Sequence, residues 1–320
     1  QSQNTLAVGG RKRFNSALSV YGEERRAFGD TRGLTHAYGL DFTPGEAWSL
    51  GGQVEIGEIE EGTSQIEREA YTVTGGYSSG KLNLGAAFEW RNDTTTRADG
   101  EAAPASETRE SWFLRSNATY QASPDLKALI RFDRAESTSS AGDFFKGSFT
   151  EAQVAAAYRP VANDRFNALL RYTYLEDLAA PGQVSNSGVT GNPAQRSHVA
   201  SLDAQYRLTN WLTVGGKYGY RKGEVSLTRA PEDFLSSTSQ LGVIRADLHF
   251  VKQWDAVIEG RVLTVKEAED ARAGVMAALY RHIGDNAKIG VGYNFSDFSD
   301  DLTDLSYDDH GFFVNLIAKF

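Results

Sequence analysis

Read in steps of two, the chain separates into an apolar set and a polar set. Leu34, His36, Tyr38, Leu40 and Phe42 share one side of an extended segment, and Thr35, Ala37, Gly39 and Asp41 share the other. Thr43-Pro44-Gly45-Glu46-Ala47 carries turn residues, and the alternation then resumes as Trp48, Leu50, Gly52, Val54 and Ile56 against Ser49, Gly51, Gln53 and Glu55. Two such segments make a hairpin with one apolar side. The unit recurs at 82–90, 112–120, 126–132, 152–158, 166–174, 202–206, 212–220, 244–250, 254–258, 289–295 and 312–320. With weaker candidates at 14–22, 71–77 and 276–280, the count reaches about sixteen strands, an even number of the kind bacterial single-chain barrels have.

The connections alternate in length. Ser78-Ser79-Gly80, Leu208-Thr209-Asn210 and Gly284-Asp285-Asn286 are short, whereas 92–111, 136–147, 176–196, 223–239 and 296–310 are long. Short periplasmic turns and long extracellular loops distinguish a membrane barrel from a soluble sandwich. A sandwich would also need a second apolar face to pack against, and here the opposite face is charged. The expectation is therefore an all-β, transmembrane, antiparallel up-and-down barrel in the outer membrane of a Gram-negative cell. Residues 14–320 form the barrel and residues 1–13 a periplasmic segment or linker. An even strand number would place both termini on the periplasmic side.

Two sets of side chains follow from this. Phe42, Trp48, Tyr77, Tyr120, Tyr158, Phe166, Tyr206, Trp211, Phe250, Trp254, Tyr280 and Phe320 stand beside the short turns, where an aromatic girdle meets the membrane interface. Trp90, Trp112, Tyr174 and Tyr220 would mark the other leaflet. The polar set is the candidate lining of a wet lumen: Glu55, Glu89, Arg91, Arg115, Arg131, Asp133, Arg171, Asp203, Lys217, Arg221, Arg245, Asp247, Glu259 and Arg261. Both signs are mixed, so ion pairs and little ion selectivity are expected.

Composition agrees and narrows the function. The balance of 32 Gly, 14 Tyr, 17 Phe and 5 Trp against 7 Pro and 1 Met favours β-structure over an α/β enzyme. The mean hydropathy is −0.42. No apolar run reaches the roughly 18 residues that a membrane helix needs. With 0 Cys there is no disulfide, thiolate nucleophile or Cys-ligated metal. A net charge of −9 without a basic stripe argues against nucleic acid as a partner.

Two stretches near the C-terminus, 281–286 with 290–295 and 297–302, resemble the terminal barrel of large, uncharacterised Gram-negative surface proteins. The likeness extends through 19–23, 36–41 and 217–220. The ending, with Phe320 behind alternate apolar residues, is similar to the signal that the barrel-assembly machinery reads, although Asn315 departs from its usual small residue. The resemblance implies a membrane anchor or export domain joined to a larger surface region, and no activity comes with it.

No catalytic constellation emerges, and an enzyme is not expected. His36 and His198 lie in the apolar register with no serine opposite in a recognisable motif. His249, in Arg245-x-Asp247-x-His249, is placed to pair with Asp247, and His282 is read as a turn residue. Asp297, Asp300, Asp301, Asp304 and Asp308 crowd one loop beside His310, where Ca²⁺ is a candidate ligand and a solvated acidic loop the default. No other cofactor is implied. The functions weighed are a porin-like channel for passive passage of small hydrophilic solutes and, as the alternative, the membrane anchor. Expected partners are outer-membrane lipid, lipopolysaccharide and the assembly machinery, with a homo-oligomer as a further candidate.

Overall fold

The computed structural model describes residues 3–29, 31–97, 105–141, 147–178, 194–226, 234–251, 253–284, 286–296, 298, 302 and 310–318. They form seventeen antiparallel up-and-down strands of one sheet. The chain divides into two compact units, one built mainly from residues before 121 and the other mainly from residues after 195.

In the first unit, β1 (Gln3–Arg13), β2 (Leu18–Gly29), β3 (Thr31–Phe42), β4 (Trp48–Glu61), β5 (Ser64–Ser78), β6 (Leu82–Arg97) and β7 (Ala105–Ser123) pair in chain order. The residues of β8 (Leu126–Ser139), β9 (Gly147–Tyr158) and β10 (Phe166–Leu178) are divided between the two units. In the second unit, β11 (Ala194–Arg207) precedes an uninterrupted run of ladders. These join β12 (Leu212–Ser226), β13 (Leu235–Val251), β14 (Trp254–Val265), β15 (Asp270–Ile283), β16 (Ala287–Asn294) and β17 (Gly311–Ala318).

The apolar residues of the alternation are the exposed ones. Tyr38, Leu40 and Phe42 of β3 are exposed beside buried Ala37, and Ile258 and Val262 of β14 are exposed beside buried Glu259 and Arg261. Leu34 to Phe42 covers eight steps, about 26 Å along the strand at roughly 3.3 Å per residue, a length on the scale of the apolar band of an outer-membrane barrel. Beyond that band β4 and β5 continue with exposed Glu58, Glu60, Glu67 and Glu69. The strands are therefore longer than their apolar segments, which is why the sequence assigns their polar ends to loops. The longest case is 92–111, of which only 98–104 falls outside the described residues.

Three expectations change. Residues 3–13 are not a linker but a strand, paired with β2 along their whole length. Leu6 and Val8 carry its alternation, but two apolar residues ahead of Arg11, Lys12 and Arg13 give too short a signal to read. The strand count accordingly rises to seventeen. Gln3 stands opposite Gly29, so the N-terminal end of β1 lies at the end of the ladder that holds the β2–β3, β4–β5 and β6–β7 connections, opposite the end of the β1–β2 and β3–β4 turns. The third change concerns β15. Val275, Ala277 and Leu279 take the exposed side and Met276, Ala278 and Tyr280 the buried one, so Tyr280 is not a girdle residue. The run 275–280 is apolar throughout, and a period of two carries no information there.

Candidate functional site

In an extended strand, residues i and i+2 share a face and lie about 7 Å apart, within reach of an arginine and a carboxylate. The polar face of the first unit is built largely on that spacing. Arg25 pairs with Glu23 and approaches Glu55 at 3.9 Å. Arg91 pairs with Glu89 at 2.6 Å, and Arg131 with Asp133 at 2.5 Å. Across strands, Arg68 meets the directly opposite Asp93 through Nε and Nη2 at 2.8 and 3.0 Å, the forked geometry that makes such pairs strong. Arg91 and Arg115 flank the ring of Phe113 at 5.6 and 6.0 Å. Tyr21 donates to Gln53 Oε1 at 2.8 Å and lies over Gly39, where a Cβ would come within 2.3 Å of the ring.

The polar face of the second unit repeats the device. Arg245 grips Asp247 at 2.8 Å, and Arg261 meets Glu259 at 2.5 Å with both side chains at most 7% exposed. Arg171, Asp203 and Lys217 lie half-buried on the same face. Arg221 is 1% exposed; its Nη1 reaches Ser237 Oγ at 3.5 Å, while Nε and Nη2 have no hydrogen-bond partner among the described residues. This face also holds an apolar patch that the alternation did not announce. Leu241 and Val243 pack with Phe298 and Leu302 of the β16–β17 connection, and Arg261 Nη1 donates to the Phe298 carbonyl at 3.4 Å. Part of the β16–β17 connection thus lies on the polar face. Its acidic residues Asp297, Asp300, Asp301, Asp304 and Asp308, the candidate Ca²⁺ ligands, lie outside the described residues.

On the apolar face, aromatic rings gather at two levels. Beside the short turns Trp48 packs on Tyr77 at 4.8 Å and Tyr158 on Phe166 at 6.2 Å, and Phe42, Tyr120 and Tyr206 are exposed. Trp254 lies under the Arg281 guanidinium at 5.7 Å. Phe320 and the Phe250 side chain lie outside the described residues. Farther along the strands Tyr71 meets Trp90 at 5.8 Å and Phe88 meets Trp112 at 6.4 Å. His198 sits between Tyr172 and Tyr174, with Nδ1 at 2.7 Å from Tyr172 Oη.

His249 and His282 do not follow the sequence reading. Asp247 is taken by Arg245, so His249 turns instead to Asp255 across the β13–β14 ladder, Nδ1 to Oδ1 at 2.5 Å. His282 belongs to β15 and not to a turn, and its Nε2 reaches Asp255 Oδ2 at 2.9 Å. Lys288 Nζ reaches the same oxygen at 3.2 Å. The missed signal is a pairing one: His249 and Asp255 flank a tight turn and so must face each other.

No family model and no curated protein matches the chain. Solved structures do. The FrpB iron transporter from Neisseria meningitidis (F3-3 variant) is 12% identical, with 91% of this chain and 57% of that one covered and a TM-score of 0.56. The copper transporter OprC is 10% identical over 91% of this chain and 57% of its own, with a TM-score of 0.54. The alcaligin outer membrane receptor FauA from Bordetella pertussis is 10% identical over 91% and 60%, with a TM-score of 0.46. The fold is that of an outer-membrane β-barrel. The barrel spans about three-fifths of the length of these three proteins. The finer resemblance, to terminal barrels of surface proteins, has no matching family model behind it.

Proposed function

We propose that this barrel resides in the outer membrane and forms a porin-like, water-filled passage for small hydrophilic solutes, with short turns periplasmic and long connections extracellular. The observation that carries the reading is the inversion of β14, where Val262 is 50% exposed and the adjacent Arg261 is 6% exposed. Aliphatic side chains outside and ion pairs inside suit a chain whose outer solvent is lipid and whose inner solvent is water. Paired charges of both signs favour weak ion selectivity. Phe298 and Leu302, laid on the polar face, act as a partial constriction. Lipid and lipopolysaccharide cover the apolar side, and the assembly machinery inserts it. Single-channel recording of the refolded chain in a planar bilayer tests the passage: stable conductance steps are expected, and silence would overturn it.

A second reading, a membrane anchor for a larger surface protein, is favoured by the start of β1. A region joined ahead of Gln3 would leave from the end of the ladder that carries the β6–β7 connection, which is the cell-surface side on this reading. Labelling of a cysteine introduced at Thr5 by an impermeant maleimide on intact cells tests that placement: labelling is expected, and its absence would put the start of β1 on the periplasmic side.

A further inference from the structure

The short-turn end of β13, β14, β15 and β16 brings together His249, Asp255, His282 and Lys288. All four occupy the polar face: His249 stands opposite Asp255, Tyr280 stands opposite Asp255 with His282 two residues on, and Lys288 pairs with His282. The backbone fixes this convergence. The His249 N–H donates to the Trp211 carbonyl at 2.8 Å and the His282 N–H to the Gln253 carbonyl at 2.8 Å, while the β13–β14 register shifts just after His249. The imidazoles stand nearly perpendicular, 87° apart with centroids at 5.9 Å, and one donor atom from each of His249, Asp255 and His282 lies within 4.8 Å of the others.

We propose that His249, Asp255 and His282 form a binding site for a borderline divalent transition metal, Cu²⁺, Zn²⁺ or Ni²⁺. Each imidazole aims one ring nitrogen at a different oxygen of the same carboxylate. A cation in place of the two intervening protons would keep all three donors, with small rotations bringing them to the roughly 2.0–2.2 Å that such ions require. Two nitrogens and one carboxylate suit these metals, whereas Ca²⁺ and Mg²⁺ take all-oxygen sets. Three protein ligands leave a coordination position open to water or to a ligand arriving with the metal. Lys288 is the built-in competitor. Its ammonium satisfies Asp255 when no metal is bound and at the same time lies over the Tyr280 ring at 5.1 Å, a contact it can keep when a cation takes the carboxylate. The site does not depend on whether the barrel conducts.

The test is a titration of the folded full chain in detergent with Cu²⁺, read by electron paramagnetic resonance and calorimetry. The expected result is one tight equivalent with hyperfine coupling to two imidazole nitrogens. His249→Ala with His282→Ala should lose it, while His198→Asn, remote on the apolar face, keeps it. Lys288→Met should tighten binding by about tenfold, because a like charge is removed from beside the cation. Absence of imidazole coupling in the unaltered chain, or an unchanged equivalent in the double variant, overturns the proposal. If the double variant fails to fold, Asp255→Asn replaces it. That change keeps the shape and is expected to weaken Cu²⁺ at least about tenfold, and unchanged affinity would count against the site.

Discussion

Arg261 donates through Nη1 to the carbonyl of Phe298 while its Nε holds Glu259, so a single side chain ties the β16–β17 connection to a buried ion pair of β14. The connection is fastened by polar contact and by the packing of Phe298 on Leu241 and Val243. Burial of a phenylalanine is worth about 1.5–3 kcal/mol. Phe298→Ala should therefore raise the rate of protease cleavage within 295–310 at least about tenfold and increase single-channel conductance. The melting of the sheet should stay nearly unchanged. Unaltered cleavage would mean that the connection is held elsewhere.

The Glu259–Arg261 pair itself is a buried one. Removing one partner of such a pair leaves an uncompensated charge and costs about 3–5 kcal/mol, whereas replacing both with apolar residues of similar volume is often neutral. Glu259→Gln should lower stability by that order in urea unfolding from detergent micelles. Glu259→Met with Arg261→Met should recover most of the loss. Equal losses in the single and double variants would show that the residues do not act as a pair.

On the other side of the sheet, Ile244 is 76% exposed in the middle of β13. Ile244→Arg should reduce the free energy of folding into lipid vesicles by about 2–4 kcal/mol, the cost of a cation near the bilayer midplane, and Ile244→Phe should change it little. A tolerated arginine would place this face in water.

Much of this was legible beforehand, and the reasons differ by element. β3 and β4 alternate cleanly and were read correctly to the residue at their turn. β1 was missed because only Leu6 and Val8 mark its apolar side, and β15 was read on the wrong face because residues 275–280 are apolar on both. Four of the charged pairs were present in the list of polar-face residues, since their i+2 spacing is local. The meeting of His249, Asp255 and His282 was not legible, because it depends on which strands are neighbours, and no period reveals that.

The β14–β15 turn holds a testable strain. Glu269 has φ of 48°, a left-handed conformation that costs a side-chain-bearing residue about 1 kcal/mol or more. Glu269→Gly should stabilise the fold by roughly 0.5–1 kcal/mol in a thermal unfolding assay. Glu267 of the same turn accepts from the Thr238 N–H of β13 at 2.6 Å, which holds its carboxyl below its ordinary value. A depressed acid stabilises above its unfolded range, and the effect is lost as pH falls through the lowered value. The Thr238 amide resonance should therefore shift in acid, later than for a free glutamate, and not in Glu267→Gln.

The arginine–carboxylate pairs two residues apart have a consequence for how such a chain is assembled and diversified. A strand that carries its own counter-charge has nothing to settle with its neighbours. Arg245 with Asp247 and Glu259 with Arg261 are each neutral before any ladder forms. A hairpin of that kind can be delivered to a growing sheet, duplicated or lost without orphaning a charge on the strand beside it. Cross-strand pairs such as Arg68 with Asp93 are the exception, and they commit two particular strands to remain adjacent.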